Sequence, residues 1–333
     1  MQQKFVIGFS VVLVLLAVIL IARDLFQETP SYTVTCSPDD EERAMKMIDP
    51  ALIGYQQINV IETGLKDLTG VSVDENQQVF VCGKNQVTVF SSSGKKIMEF
   101  AIDSTANCIK VTDQHVYLAF GPQISQYSLN GTQISKWEAF NSNGYITSIA
   151  ADNDFIYGAD AISKRVLKYT INGEFVQEFG KKDPQKKSPG FIIPSLYFDI
   201  ATGGFNDLWV VNPGYVRLEN YSNDGKLRTS WGEPSFENFG FSGCCNPVHM
   251  ALLPDGSFVT YEKGVDKVKL FSPAGQFQSF VAAAGSFKGE SDFQLGHNKN
   301  LVKDMATDKT GLIYILDAYD RVCILKRTDS KSS

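Results

Sequence analysis

The sequence predicts an all-β chain closed into a ring of six four-stranded blades, and three observations predict it. The first is a recurring turn. Ser91-Ser-Ser-Gly94, Ser128-Leu-Asn-Gly131, Thr170-Ile-Asn-Gly173, Ser222-Asn-Asp-Gly225 and Ser272-Pro-Ala-Gly275 each separate two short β-rich runs, as VTVF is separated from KKIMEF. Glycine after a small or polar triplet, and Asn-Gly or Asp-Gly above all, marks a hairpin. The second is the period. A further strand pair precedes each hairpin, so that units recur near 70–100, 108–137, 148–180, 199–232, 249–281 and 304–327. A repeat of about 40–50 residues is the length of a propeller blade. The third is a mismatch at the ends. The last unit stops after three strands, while Tyr55–Ile61 (YQQINVI) is an orphan strand ahead of the first unit. Pairing the two gives a three-plus-one closure that leaves the ring without an exposed seam.

Taken in order, residues 1–23 read as a membrane anchor or a signal peptide. Phe5 to Ala22 carries no charge, and at about 1.5 Å rise per residue such a helix nearly spans a bilayer core. A cleaved signal has a shorter apolar region, about 7–15 residues, and ends in small residues. Ile19-Leu-Ile-Ala-Arg23 makes a poor cleavage site, which favours an uncleaved transmembrane helix. Lys4 before the span, with Asp24 and Glu28 after it, places the amino terminus in the cytoplasm. The propeller then lies outside, periplasmic or extracellular, where disulfides are permitted. Residues 24–53 read as a tether with a short helix capped at Ser37. Residues 54–328 form the propeller, and 329–333 a disordered tail.

The net charge is −6, with no basic run beyond Lys181-Lys182 and Lys186-Lys187. That composition excludes nucleic acid as the partner. There is no phosphate loop, GxSxG or HExxH motif.

Two segments carry a family resemblance: Asp304-Met-Ala-Thr-Asp-Lys-Thr-Gly-Leu-Ile-Tyr-Ile-Leu-Asp317 with Arg321-Val-Cys-Ile-Leu, and Gly158-Ala-Asp160 with Val166 to Gly173. They resemble the repeats of NHL-type six-bladed propellers. Gly243-Cys-Cys-Asn-Pro together with Thr260-Tyr-Glu-Lys263 looks like an uncharacterised bacterial subgroup of that family. The resemblance implies the fold but no single function, since members include binding scaffolds, extracellular sensors and a metal-dependent amidating lyase. That lyase holds zinc with three histidines. Here His115 sits in a strand-pair turn away from His249, so the activity is not carried over.

Candidate site residues come from two places. Aligning the six units puts Gly70, Cys108, Ser148, Asp199, His249 and Asp304 at the start of the innermost strands, at one mouth of the central channel. Asp199, His249 and Asp304 come from consecutive blades and should converge. A histidine with two carboxylates suits one divalent ion of the zinc, manganese, iron or calcium kind. The second place is Gly243-Cys244-Cys245-Asn246-Pro247. Adjacent thiols outside the repeat strands close a strained ring if oxidised to each other, and if reduced are soft ligands or a reactive dithiol. One of them could equally pack inward as a small apolar residue. Asn212, Glu262, Lys263 and Asp317, at the second-to-third-strand turns, share that face. Long loops rise there at 180–194, 232–247 and 281–302, where Phe236, Phe239, Phe241, Phe287 and Phe293 either wall a pocket or, the favoured role, pack the loops onto the blades.

These residues support a membrane-tethered module that binds a protein or small molecule at its loop face. The rival is a metal-dependent lyase or hydrolase, or a thiol redox enzyme, centred on Cys244-Cys245, His249, Asp199 and Asp304.

Overall fold

The computed structural model describes residues 48–185, 188–203, 207–283 and 300–328. They form six antiparallel four-stranded sheets. The innermost strands are Gly70–Val73, Cys108–Val111, Ile146–Ala151, Ile200–Thr202, His249–Leu252 and Val302–Thr307, and each touches the next around a closed ring. The chain is an all-β six-bladed propeller. Closure is as the sequence predicts. Tyr55–Glu62 pairs antiparallel with Arg321–Arg327, setting Ile61 opposite Val322, and completes the sheet of the sixth blade. The segment before it forms a 3-10 turn at Pro50–Leu52, capped where the Asp49 carboxylate accepts the Ala51 amide at 2.8 Å.

The sequence makes these blades through the turn and the strand face. In all five glycine turns the glycine has φ between 75° and 90°, a left-handed conformation that costs other residues a Cβ clash. Its amide bonds back to the first residue of the turn, as Gly94 does to Ser91 at 2.9 Å. The glycine also gives room to the preceding blade. A Cβ on Gly173 would lie 2.2 Å from Trp137, and one on Gly131 2.3 Å from Phe100. The aromatic that ends the fourth strand of one blade therefore packs on the turn glycine of the next. Between blades, alternate residues of the middle strands fill the core. One such cluster joins Tyr157, Ala159 and Val166 of the third blade to Ile200, Val210 and Tyr221 of the fourth.

Among the described residues no helix is long and apolar enough to cross a membrane. The anchor expected at 5–22 and the helix expected at 37–43 lie outside the described residues, as do Phe287, Phe293 and the tail.

Candidate functional site

An inner strand at the channel has no backbone partner on its open side, so its amides need other acceptors. The aligned slot supplies several of them. The slot residues pair with one position of the second strand: Gly70 with Cys82, Cys108 with Ala119, Ser148 with Ala159, His249 with Tyr261 and Asp304 with Leu316. Asp199 precedes its strand and accepts the Val211 amide on its carbonyl at 2.9 Å. From this slot the side chains cross to the next blade. Asp199 Oδ2 accepts the Met250 amide at 2.9 Å, and Asp304 Oδ2 accepts the Val71 amide at 2.8 Å across the closing seam. Their Oδ1 atoms accept the amides of Ile200 and Met305, each at 2.8 Å. Both carboxylates are staples between blades.

They also line a cavity. It has a volume of about 690 Å³ and lies at the mouth where the inner strands begin. Asp199, His249, Asp304 and Cys108 form part of its wall with Tyr145, Tyr197 and Asn300. His249 Nδ1 lies 3.4 Å from Asp199 Oδ2, while its Nε2 is buried without a hydrogen-bond partner among the described residues. Burial draws the imidazole toward its neutral form. The hydrogen bond to Asp199 and the charges of Asp199 and Asp304 outweigh this, so its pKa is raised. Burial, with the Asp199 charge behind it, pushes Asp304 up to about 7 against the pull of His249 and two amides. Lys110 of the second blade is lowered by burial, opposed by Asp304 and Asp199.

The expected convergence on a metal ion takes a different form. Among the described residues no group of three or more His, Cys, Asp or Glu side chains is placed to hold one. The reason is the stapling, which turns the carboxylates onto backbone amides. Of the three side chains only His249 leaves an atom without a partner among the described residues, its Nε2, so an ion held here would need the carboxylates to leave their amides.

The second set of candidates divides by burial. Glu262 is fully buried. It pairs with the equally buried Lys269 at 2.6 Å and accepts the Ser242 amide, while Lys269 Nζ donates to the Gly240 carbonyl at 2.7 Å. Asn246 is buried too, and its peptide bond to Pro247 is cis. Its amide group donates to the carbonyls of Ser242 at 2.7 Å and Lys263 at 3.1 Å, and accepts the Lys263 amide at 2.9 Å. Glu262 and Asn246 therefore anchor the loop and present nothing to a ligand. Asn212 does the same for the loop 180–194, accepting the Ile192 amide at 3.0 Å. Asp317 folds its own turn and pairs with Arg321 at 2.7 Å. Lys263 reaches the rim, where Nζ donates to Ser195 Oγ at 3.1 Å and stands 4.8 Å above the Tyr197 ring.

Cys244 and Cys245 do not line the cavity. Cys244 is exposed and Cys245 half-buried, with their sulfurs 3.4 Å apart, far beyond the roughly 2.05 Å of a disulfide. Phe241 packs between Trp231 and Phe271 as expected, but Phe236 and Phe239 are exposed.

Sequence reasoning passed over Tyr197, Asn300 and Lys110. Tyr197 joins the site together: its ring meets His249 edge-on at 5.7 Å and its hydroxyl accepts from the Asn300 amide. Both Tyr197 and Asn300 lie in loops, which carry no repeat. Lys110 had a signal, since it lies two residues after Cys108 and so on the same strand face.

No protein-family profile and no curated protein sequence matches the chain. Solved structures match its fold. A streptogramin B lyase aligns at 14% identity, covering 84% of this chain and 100% of that one, with a TM-score of 0.59. A catalytically inactive histidine-to-alanine variant of virginiamycin B lyase from Staphylococcus aureus, with quinupristin, aligns at 14% identity over 82% of this chain and 99% of that one, TM-score 0.58. The WD40 propeller domain of Doa1 aligns at 11% identity over 80% and 81%, TM-score 0.54. Such likeness shows a propeller and leaves function to the site.

Proposed function

We propose that this chain is a membrane-tethered, extracytoplasmic propeller of the NHL type that binds a small molecule or a segment of a partner protein at its loop face. The observation that supports this reading is the cavity of about 690 Å³ at the inner-strand mouth, lined by Asp199, His249 and Asp304 together with Tyr145 and Tyr197. Aromatic walls with a few fixed polar groups are the usual makings of a ligand pocket. The uncharged 5–22 span supports the tether. Two measurements test it. Full-length protein should stay in membranes through a high-salt wash, with Cys244 labelled on intact cells by a membrane-impermeant maleimide. A photo-crosslinking residue at Leu196, exposed on the cavity rim, should capture a ligand that the same residue at Ile134, exposed on an outer strand, does not. Release by salt, or equal capture at both positions, overturns the reading.

One observation favours a second reading, that of an enzyme. Asp199 orients His249 through Nδ1 and leaves a buried Nε2 at the cavity, which is how a base or acid is held ready. The similar lyase whose histidine variant is catalytically inactive agrees with it. In this reading Asp199, His249 and Asp304 serve a lyase or hydrolase, with zinc, manganese, iron or calcium as the ions to look for. Metal analysis of wild type and His249→Ala, with melting in the presence and absence of chelator, tests the ion. Metal lost with the histidine and a lower chelator-sensitive melt support it; no metal and no chelator effect remove it.

A further inference from the structure

The described cysteines fall into two kinds. Cys82, Cys108 and Cys323 are buried in the core. Burial pushes Cys82 and Cys323 each up to about 12 and raises Cys108 as well, so these thiols are inert. Cys244 and Cys245 differ in place and in support. They stand at the surface on a loop that is clamped on both sides. Before them, the Ser242 amide is held by Glu262, which is itself paired with Lys269. After them, buried Asn246 makes three hydrogen bonds, to Ser242 and to both backbone groups of Lys263. A buried ion pair and a buried amide thus fix a segment whose outward groups are two sulfurs 3.4 Å apart.

We propose that Cys244 and Cys245 form a two-sulfur chelating site for a thiophilic, pyramidal ion of the trivalent arsenic class, separate from the channel cavity. Geometry selects the class. An atom bonded at about 2.3 Å to each of two sulfurs that stand 3.4 Å apart subtends an angle of roughly 95°, which suits a pyramidal three-coordinate centre. A linear two-coordinate ion would need the sulfurs about 4.6 Å apart, twice that bond length. A closed structural zinc site would need four protein ligands, two more than this pair supplies. The chemistry needs no oxidant. With an organic arsenoxide, two sulfur–arsenic bonds form, the arsenic–oxygen bond breaks, and the two thiol protons leave with that oxygen as water. Arsenic stays trivalent and both sulfurs stay reduced.

The probe is phenylarsine oxide, applied to the full-length protein purified under reducing conditions. Intact mass should show one arsenical per chain. A dithiol such as 2,3-dimercaptopropanol should strip it, and a monothiol at equal thiol concentration should not. Cys244→Ser and Cys245→Ser should each weaken retention by more than about tenfold, as loss of chelation predicts. Cys36→Ser should retain it fully. Melting curves of the two loop variants check folding, and a wild-type melt with lost retention assigns the loss to the sulfurs. Retention unchanged in either loop variant overturns the proposal, as does stripping of the wild-type adduct by monothiol. If both loop variants unfold, labelling of native wild type followed by peptide mapping decides: arsenic bridging the 244–245 peptide supports the site, and arsenic elsewhere sinks it.

Discussion

Two rings of polar residues stand one strand apart in this propeller, and their fates differ. The inner ring holds Asp199, His249 and Asp304. The outer ring, one position along on the second strands, holds Asp160, Asn212, Glu262 and Asp317. The inner side chains face the channel and line its cavity. The outer four are sealed, at 1% exposure for Asp160 and 0% for the others. Each outer residue fixes a loop or turn, as Asp160 does by accepting the amides of Tyr145 and Ser163 at 2.9 and 3.0 Å. The residue types are nearly the same in both rings, so chemistry alone does not separate a site from a scaffold. What separates them is whether an atom is left over. In the outer ring the carboxylates and amides are matched to backbone groups or counter-charges; Glu262 Oε1 makes no hydrogen bond but lies 2.6 Å from the Lys269 ammonium. In the inner ring His249 Nε2 has neither among the described residues.

The largest expected effect of substitution lies in the outer ring. Lys269→Ala leaves the Glu262 carboxylate buried without its counter-charge, and breaking such a pair costs about 3–5 kcal/mol. Denaturant unfolding should show that loss. The double variant Glu262→Gln with Lys269→Met keeps an acceptor for Ser242 and removes both charges, and should recover most of the stability. A single variant within about 0.5 kcal/mol of wild type would mean that the outer ring does not act as a scaffold.

The inner ring should respond less, and to pH. Asp304 is raised from 3.8 to about 7 in the folded chain. The folded state therefore binds a proton more readily than the unfolded state, and the stability this contributes is fully present below about pH 4 and is lost as pH rises through about 7. His249, also raised, acts in the same direction near and above neutrality. Asp304→Asn removes that titration. It also turns an amide NH₂ toward one of the two backbone amides the carboxylate accepts, at a cost of about 1–3 kcal/mol. Melting temperature against pH should show the variant clearly below wild type at pH 5 and closer to it at pH 8. Parallel curves would show that Asp304 does not titrate in this range and that the inner ring is as fixed as the outer.

The fold was legible because its signals repeat. Five glycine turns and the strand period set the blades, and the orphan strand at Tyr55 set the closure; the alignment of the six slot residues carried through to their pairing partners. The site was legible in position and misleading in role. An aspartate that takes the Met250 amide and one that waits for a metal are written with the same letter. What distinguishes them is a bond to another blade fifty residues away. Glu262 could be suspected of burial only by noticing that Lys269 lies on the same face as Lys267, in a strand whose alternate residues, Val268 and Leu270, fill the core. Tyr197 and Asn300, in loops without repeat, gave no signal at all.

Lys263 sits between the two rings and should show the smallest effect. Its backbone belongs to the scaffold, since both its amide and its carbonyl are tied to Asn246. Its side chain belongs to the cavity rim, held by Ser195 at 3.1 Å and by the Tyr197 ring at 4.8 Å. Lys263→Met preserves the backbone bonds and the apolar stem, and loses one partly solvated hydrogen bond and a cation–π contact worth about 0.5–1 kcal/mol. The melt should therefore hardly move. The rim should move, because Tyr197 then loses the cation that stands over its ring. Crosslinking from Leu196, one residue away, reads that difference: capture should fall while the melting temperature stays within about 2–4 °C of wild type. A melt lowered as far as that of Lys269→Ala would place the Lys263 side chain in the scaffold. Unchanged capture with an unchanged melt would show that Tyr197 is fixed from the His249 side, and that the cavity wall begins at the inner ring.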